Sequence, residues 1–315
     1  MFVDTHGHVS FQAFKDDADV VLRRALQNNT WVVMPGTQFS TSQQAVEMAE
    51  HYPEGVYAAI GLHPIHLGEK RHVDTLELQS ELSAPLETGR EARPQFLMGF
   101  ETKAEEFEYE KYKVLGKSKK VVAIGEFGLD YYYEPKSKIK REAQRMQQKT
   151  TLALQLKLAE ELQLPVILHC RKAHEDLLEI LNTRQKAEGH LGGPATMPSF
   201  GRAKLRGVVH CYTGDLRQAE RFYNLGLYFG FNGLIFKDVP ALPNPEEIIS
   251  SIPLDRIVLE TDSPYLVPPV AKTERNEPLF VKYVAEEVAR IKNIPVEEVA
   301  SATTSNAQTL FGLAT

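Results

Sequence analysis

Eight short apolar runs rich in β-branched and aromatic residues punctuate the 315-residue chain: Phe2 to Asp4, Trp31 to Met34, Val56 to Gly61, Val121 to Gly125, Val166 to His169, Gly207 to His210, Leu227 to Phe231 and Ile257 to Glu260. Most are separated by segments with helical periodicity, the alternation that builds parallel sheets. Eight strands close a barrel, so the pattern predicts an α/β fold of the (β/α)8 TIM barrel type, with residues 1–315 as one domain. Parallel strands joined by helices bring every strand's carboxyl end to one face, where barrel enzymes keep their chemistry.

Between the strands, Asp16 to Asn28 sets Ala18, Val21, Leu22, Ala25 and Leu26 on one stripe, and Thr41 to His51 opens with capping-type residues. A longer helix is predicted from about Ile139 to Gln163, with Met146, Leu152, Ala153, Leu156 and Ala159 buried. Asp215 to Leu225, Asn276 to Lys292 and Pro295 to Phe311 complete the set. Two stretches, 74–120 and 181–206, exceed the connections of a minimal barrel and read as insertions after strand three and before strand six. In the first, Phe107-Glu108-Tyr109-Glu110 alternates like an edge hairpin, whereas the second, with Gly192-Gly193-Pro194 and Pro198, reads as a mobile loop.

A formal charge of −6 argues against a surface that attracts nucleic acid over its whole extent. The local clusters Lys117, Lys119, Lys120 and Arg202, Lys204, Arg206 read as solvated loops. No apolar run approaches the roughly 20 residues that span a bilayer, so no membrane partner is expected. Met1-Phe2-Val3-Asp4 lacks the marks of a secretion signal, which predicts a cytoplasmic location, and no obligate protein partner is signalled. Cys170 and Cys211 each follow a histidine at a strand end, so alternation predicts reduced thiols facing the barrel exterior.

The chemistry is carried by residue types that bind divalent metals. His6 and His8, two apart after the first strand, leave the same face and are able to hold one ion together. Glu126 follows Val121-Val122-Ala123-Ile124-Gly125, where a buried carboxylate must reach water or a cation. His169 and His210 end the fifth and sixth strands, and Asp262 lies just beyond the eighth, able both to ligate and to exchange a proton with attacking water. Singly, each histidine is more often a satisfied core residue. Four histidines and two acids on strand ends that one topology gathers together are a metal site.

These motifs, Asp4-Thr5-His6-Gly7-His8, Gly61-Leu62-His63-Pro64, Gly125-Glu126-Phe127-Gly128-Leu129-Asp130-Tyr131, His169-Cys170-Arg171, His210-Cys211-Tyr212-Thr213-Gly214, Glu260-Thr261-Asp262-Ser263-Pro264 and Asn306, resemble those of the TatD family of metal-dependent deoxyribonucleases, within the amidohydrolase-like barrels. The resemblance covers the chain apart from the two insertions. It implies a two-metal site, with His6, His8, Glu126 and Asp262 around one ion and Glu126, His169 and His210 around the other. Phosphotriesterase-type barrels usually bridge their metals with a modified lysine on the fourth strand, the place Glu126 holds here. Gly7 departs from the Cys or Ala that many relatives carry between the histidines.

The expected activity is 3′-to-5′ exonucleolytic cleavage of single-stranded DNA, with RNA as an alternative. Two divalent ions, Mg or Mn for nuclease action or else Zn, would neutralise charge during in-line displacement. Asp262 would orient and deprotonate water, His63 would contact the phosphate or the leaving oxygen, and Arg171 would grip phosphate. Tyr131 to Tyr133 offer faces for a base. The alternatives are a small-molecule amidohydrolase, lactonase or phosphoesterase using the same ions and, more remotely, a non-enzymatic metal-binding scaffold.

Overall fold

In the computed structural model, which describes residues 1–68, 72–73, 100–189 and 205–313, the apolar runs pair as one parallel sheet. Its strands, neighbours in this order, are β1 (Phe2–Asp4), β2 (Thr30–Pro35), β3 (Val56–Ile60), β4 (Val121–Asp130), β5 (Val166–Arg171), β6 (Gly207–Val209), β7 (Tyr228–Phe231) and β8 (Ile257–Leu259). Thr5 N donates to Leu259 O at 3.0 Å and Gly7 bridges Ser263, so the first and last strands meet and the expected TIM barrel nearly closes.

Two apolar layers follow from strand alternation. Val3, Val33, Tyr57, Ala59, Val122, Ile167, Val208 and Val258 fill the lumen, joined by Ala307, Leu310 and Phe311 of the last helix. That helix seals the amino-terminal end. Its Thr304 Oγ1 donates to Met1 O, and Asn306 Nδ2 donates to Leu254 O and Ile257 O, all at strand starts. The opposite end is left for the site. Outside the sheet, Met34, Ile60, Phe127 and Leu168 pack beneath helix residues such as Leu22, Leu156 and Val284.

The described helices are α1 (Ala18–Gln27), α2 (Phe39–Glu50), α3 (Tyr109–Leu115), α4 (Lys138–Leu162), α5 (His174–Gly189), α6 (Leu216–Asn224), α7 (Pro245–Ser251), α8 (Val281–Lys292) and α9 (Val296–Phe311). Several boundaries differ from expectation for physical reasons. The Phe107 to Glu110 alternation enters α3 rather than a hairpin, because a helix turn buries Tyr112 completely against the stacked Phe107 ring, 4.6 Å away. His72–Val73, just before the expected start of the first insertion at 74, pairs antiparallel with Phe100–Glu101 inside it. α5 runs to Gly189, so the insertion before β6 starts later than residue 181, and the Gly192 to Pro194, Pro198, Arg202 and Lys204 readings lie outside the described residues.

Met146 is 65% exposed and Ala153 is exposed as well, whereas Leu152, Leu156 and Ala159 are buried as expected. α4 has 25 residues, about 37 Å at ~1.5 Å per residue, and its first turns run past the strand ends into water. The stretch from Asn276 passes through a 3-10 turn at Pro278–Phe280 and becomes α-helical only at Val281, because the Asn276 amide is committed to Thr261 O and Tyr265 O in the preceding loop. Among the described residues no helix is long and apolar enough to cross a membrane.

Candidate active site

Each strand end is held so that its side chain points inward. Asp4 is fully buried and anchors the barrel seam: Oδ1 accepts from His6 N at 3.2 Å and Thr261 N at 2.8 Å, and Oδ2 accepts from Thr261 Oγ1 at 2.7 Å. Burial pushes its pKa up to about 7. A Cβ on Gly7 would stand 2.7 Å from Asp4 Oδ2, so this anchor fits against the glycine that departs from the family pattern. His6 and His8 leave the same side, with their Nε2 atoms 3.1 Å apart. His8 Nδ1 lies 3.1 Å from Pro35 O, and a carbonyl only accepts, so Nδ1 carries the proton and Nε2 keeps its lone pair.

Glu126 reaches the lumen through an irregularity. β4 runs on to Asp130, and Ile124 and Phe127 both face the outer layer although three positions separate them. Plain alternation would put Glu126 on the face of Ile124, under the helices. The register against β5 shifts between Ile124 and Phe127, and the extra residue of this bulge turns the carboxylate inward. Glycine makes the bulge fit, since a Cβ at Gly125 would stand 2.5 Å from Ile167 Cβ.

The convergence is tight. Glu126 Oε2 lies 3.2 Å from His6 Nε2 and 3.8 Å from His8 Nε2. Its other oxygen, Oε1, lies 2.8 Å from His169 Nδ1, 3.4 Å from His63 Nε2 and 3.9 Å from His210 Nε2. Asp262 Oδ1 is 3.4 Å from His8 Nε2 and 3.9 Å from both His6 Nε2 and His210 Nε2. All six expected strand-end residues therefore surround one point. Asp262 and Cys211 take left-handed backbone angles, φ +57 and +45, which re-aim the chain where the strands end. Cys211 consequently lines the cavity instead of facing the exterior, since β6 stops at Val209 and alternation no longer applies. Cys170 lies in the outer layer as expected, and both thiols are free.

The charges reinforce one another. Burial alone would raise the Glu126 pKa, but His63, His6, His169 and His210 outweigh it and hold the carboxyl well below its ordinary range. Burial drops His6 to about 4, assisted by the charge of His210. For His210 the same burial is overcome by Glu260 and Glu126, which hold it at about 10. Against burial, Asp130 and Glu126 raise His169 to about 9.

Two partners escaped the sequence reading of the site. Glu260 Oε1 lies 2.9 Å from His210 Nδ1 and accepts from Cys211 N, so it orients that imidazole from behind. Asp130 Oδ2 faces His169 Nε2 at 3.4 Å. Both stood in the quoted motifs, and alternation was the signal available, from Asp262 for Glu260 and from Glu126 for Asp130.

His63 sits over Oε1 of Glu126, and its Nδ1 accepts from Ile65 N at 3.0 Å. An accepting Nδ1 leaves the proton on Nε2, so His63 presents a donor and not a free lone pair to the cluster. Arg171 stacks its guanidinium 3.5 Å above the Tyr132 ring, which covers one of the aromatic faces expected for a base. Both residues line a cavity of about 1300 Å³ over the cluster, together with Phe11, Lys103, Tyr133 and Lys172.

His6, His8 and Glu126, and likewise His6, His210 and Glu260, are grouped closely enough to hold a divalent ion. The donors fit such an ion: ligand bonds of about 2.0–2.2 Å leave roughly 3–4 Å between neighbouring donor atoms, and the lone pair of His8 Nε2 faces the shared point.

The model of the family described as TatD related DNase matches residues 3–312. An uncharacterized metal-dependent hydrolase of Bacillus subtilis, YabD, is 34% identical over 99% of both chains. The 3′-5′ ssDNA/RNA exonuclease TatD of Erwinia amylovora is 32% identical over 95% of each. The crystal structure of the TatD homologue YjjV of Escherichia coli superposes with a TM-score of 0.72 at 28% identity, covering 99% of this chain and 98% of that one.

Proposed function

We infer that this chain, which belongs to the TatD family of metal-dependent hydrolases, cleaves phosphodiester bonds in single-stranded DNA or RNA from the 3′ end. The observation that carries the reading is Glu126, whose two oxygens face different histidine groups on the floor of an open cavity. That arrangement suits two divalent ions: His6, His8, Glu126 and Asp262 would hold one, and Glu126, His169 and His210 the other. When bound, such ions supply Lewis acidity and make water nucleophilic near neutral pH. The cavity, about 1300 Å³, exceeds the ~300–1,000 Å³ of ordinary small-molecule sites, which favours a polymer over a small amide or lactone.

The side chains divide the remaining work. Asp262 is the cluster carboxylate most open to the cavity, its side chain 18% exposed against 5% for Glu126, so it takes the proton of the attacking water. His63 directs its Nε2 proton toward the phosphate or the leaving oxygen. Arg171 offers a planar fork for phosphate. Glu260 and Asp130 hold His210 and His169 in orientation.

The test strips the protein with chelator, restores Mg, Mn or Zn singly, and follows single-stranded oligonucleotides labelled at either end. Products shortening from the 3′ end, with rates falling as salt rises, are expected. Turnover of lactones or cyclic amides alone, with oligonucleotides intact under every ion, overturns the reading.

A further inference from the structure

At the turn from β5 into α5, two buried nitrogens have no hydrogen-bond partner among the described residues. Arg171 Nη1 and His174 Nε2 are both shielded from solvent without a hydrogen bond, and His174 as a whole is 8% exposed. Both residues line the active-site cavity. Stacking on Tyr132 fixes the plane of the guanidinium, and Lys172 Nζ lies 4.6 Å from the same ring. Lys172 takes φ +54, the turn after which α5 begins, and the positive pole of this 16-residue helix is at its His174 end.

The described acids around this turn are committed elsewhere. Glu134 holds Arg145, Asp176 holds Lys149 and the Tyr131 hydroxyl, Glu175 holds Arg221 and Gln218, and Asp215, whose charge reaches His174, accepts from Gln218 N at the start of α6. Asp130 feels the charge of Arg171 but faces His169, and it takes no hydrogen bond from the guanidinium. A buried N–H of a guanidinium, an unpartnered imidazole nitrogen, an ammonium and a helix amino terminus thus share one corner of the cavity and, among the described residues, donate no hydrogen bond to an acid there.

We propose that Arg171, Lys172 and His174 form a second phosphate subsite, separate from the ion cluster, that holds the phosphate one linkage away from the bond being cut. The proposal rests on the phosphodiesterase reading above. His169 in the cluster and Arg171 are two positions apart on one strand, about 6.6 Å along it, the scale of one nucleotide step. A simple diester has nothing to place there, whereas an oligonucleotide or a dinucleotide with a terminal phosphate does. The subsite therefore defines the substrate class as one bearing at least two phosphates.

The test measures binding of a phosphorothioate-linked dithymidine, which resists hydrolysis, to the metal-loaded full chain by calorimetry. The plain dinucleotide is compared with its 5′-phosphorylated and 3′-phosphorylated forms. One of the two phosphorylated forms binds the parent at least tenfold tighter than the plain one. Arg171→Met reduces that gain below threefold, and Arg171→Lys, which keeps the charge but not the fork, retains an intermediate gain. For a single-stranded oligonucleotide, Arg171→Met lowers the slope of log Kd against log salt by about 0.7, one phosphate contact. Equal binding of all three forms by the parent, or an undiminished gain in Arg171→Met, overturns the subsite. Oligonucleotide cleavage without a terminal-phosphate gain would leave the proposed activity standing and remove only the subsite. A gain without any diester cleavage would do the reverse.

Discussion

Replacing Glu260 with Gln removes one charge from behind the cluster and leaves its shape. The carboxylate is 1% exposed, lies 2.9 Å from His210 Nδ1 and accepts from Cys211 N at 2.7 Å and Asn232 Nδ2 at 3.2 Å. An amide at this position keeps an accepting oxygen for Nδ1–H but loses the negative charge that makes Nε2 a stronger donor to metal. Carboxylates that orient a ligating histidine contribute ten- to hundredfold to metal affinity, so Glu260→Gln is expected to weaken binding by about 1.4–2.7 kcal/mol. Competition with a chromophoric chelator, using Mn or Zn, reads this directly as Kd. Saturating metal should then restore hydrolysis to within a few-fold of the parent. A second perturbation reaches the same carboxylate from the other side: a Cβ at Gly230 would stand 2.3 Å from Glu260 Oε2, so Gly230→Ala displaces it and should weaken metal in parallel. An unchanged Kd in both variants, or a loss that saturating metal does not recover, would refute the orienting role.

Asp262→Ala should lose about 10²–10⁴ in kcat on every substrate that the parent turns over, with its melting temperature close to the parent's, as judged by steady-state kinetics and calorimetry. Gln148→Leu should destabilise the fold. Its amide both accepts from Asp130 N and donates to Asp130 O at 2.9 Å, and stranding the two groups costs about 1–3 kcal/mol each in urea unfolding. Met146→Lys should change stability by no more than about 0.5 kcal/mol by the same measurement, since the side chain already faces water.

The barrel was legible because its strands are short apolar runs whose spacing admits few topologies, and the converging histidines and acids because each ends such a run. Helix ends were less so, and each miss has a local cause. Four alternating residues at Phe107 are too few to separate a period of 2 from the start of a helix. A stripe including Met146 gives the face of a helix but not how far the helix outruns the sheet. The outward reading of Cys211 applied strand geometry beyond the last strand residue. Glu260 and Asp130 were passed over for a different reason: both stood in the motifs, but which histidine each one holds appears only once distances are known.

The bulge in β4 has a consequence for how such a centre is gained or lost. Removing Glu126 itself would restore regular pairing with β5 and leave the apolar layers intact, with Gly125 as the one inward position between Ile124 and Phe127 and no carboxylate facing the histidines. Scaffold and catalyst are therefore separable by a single codon. A homologous sequence could keep every histidine at its strand end, fold to the same shape, and be inert for want of one amino acid in the length of its fourth strand.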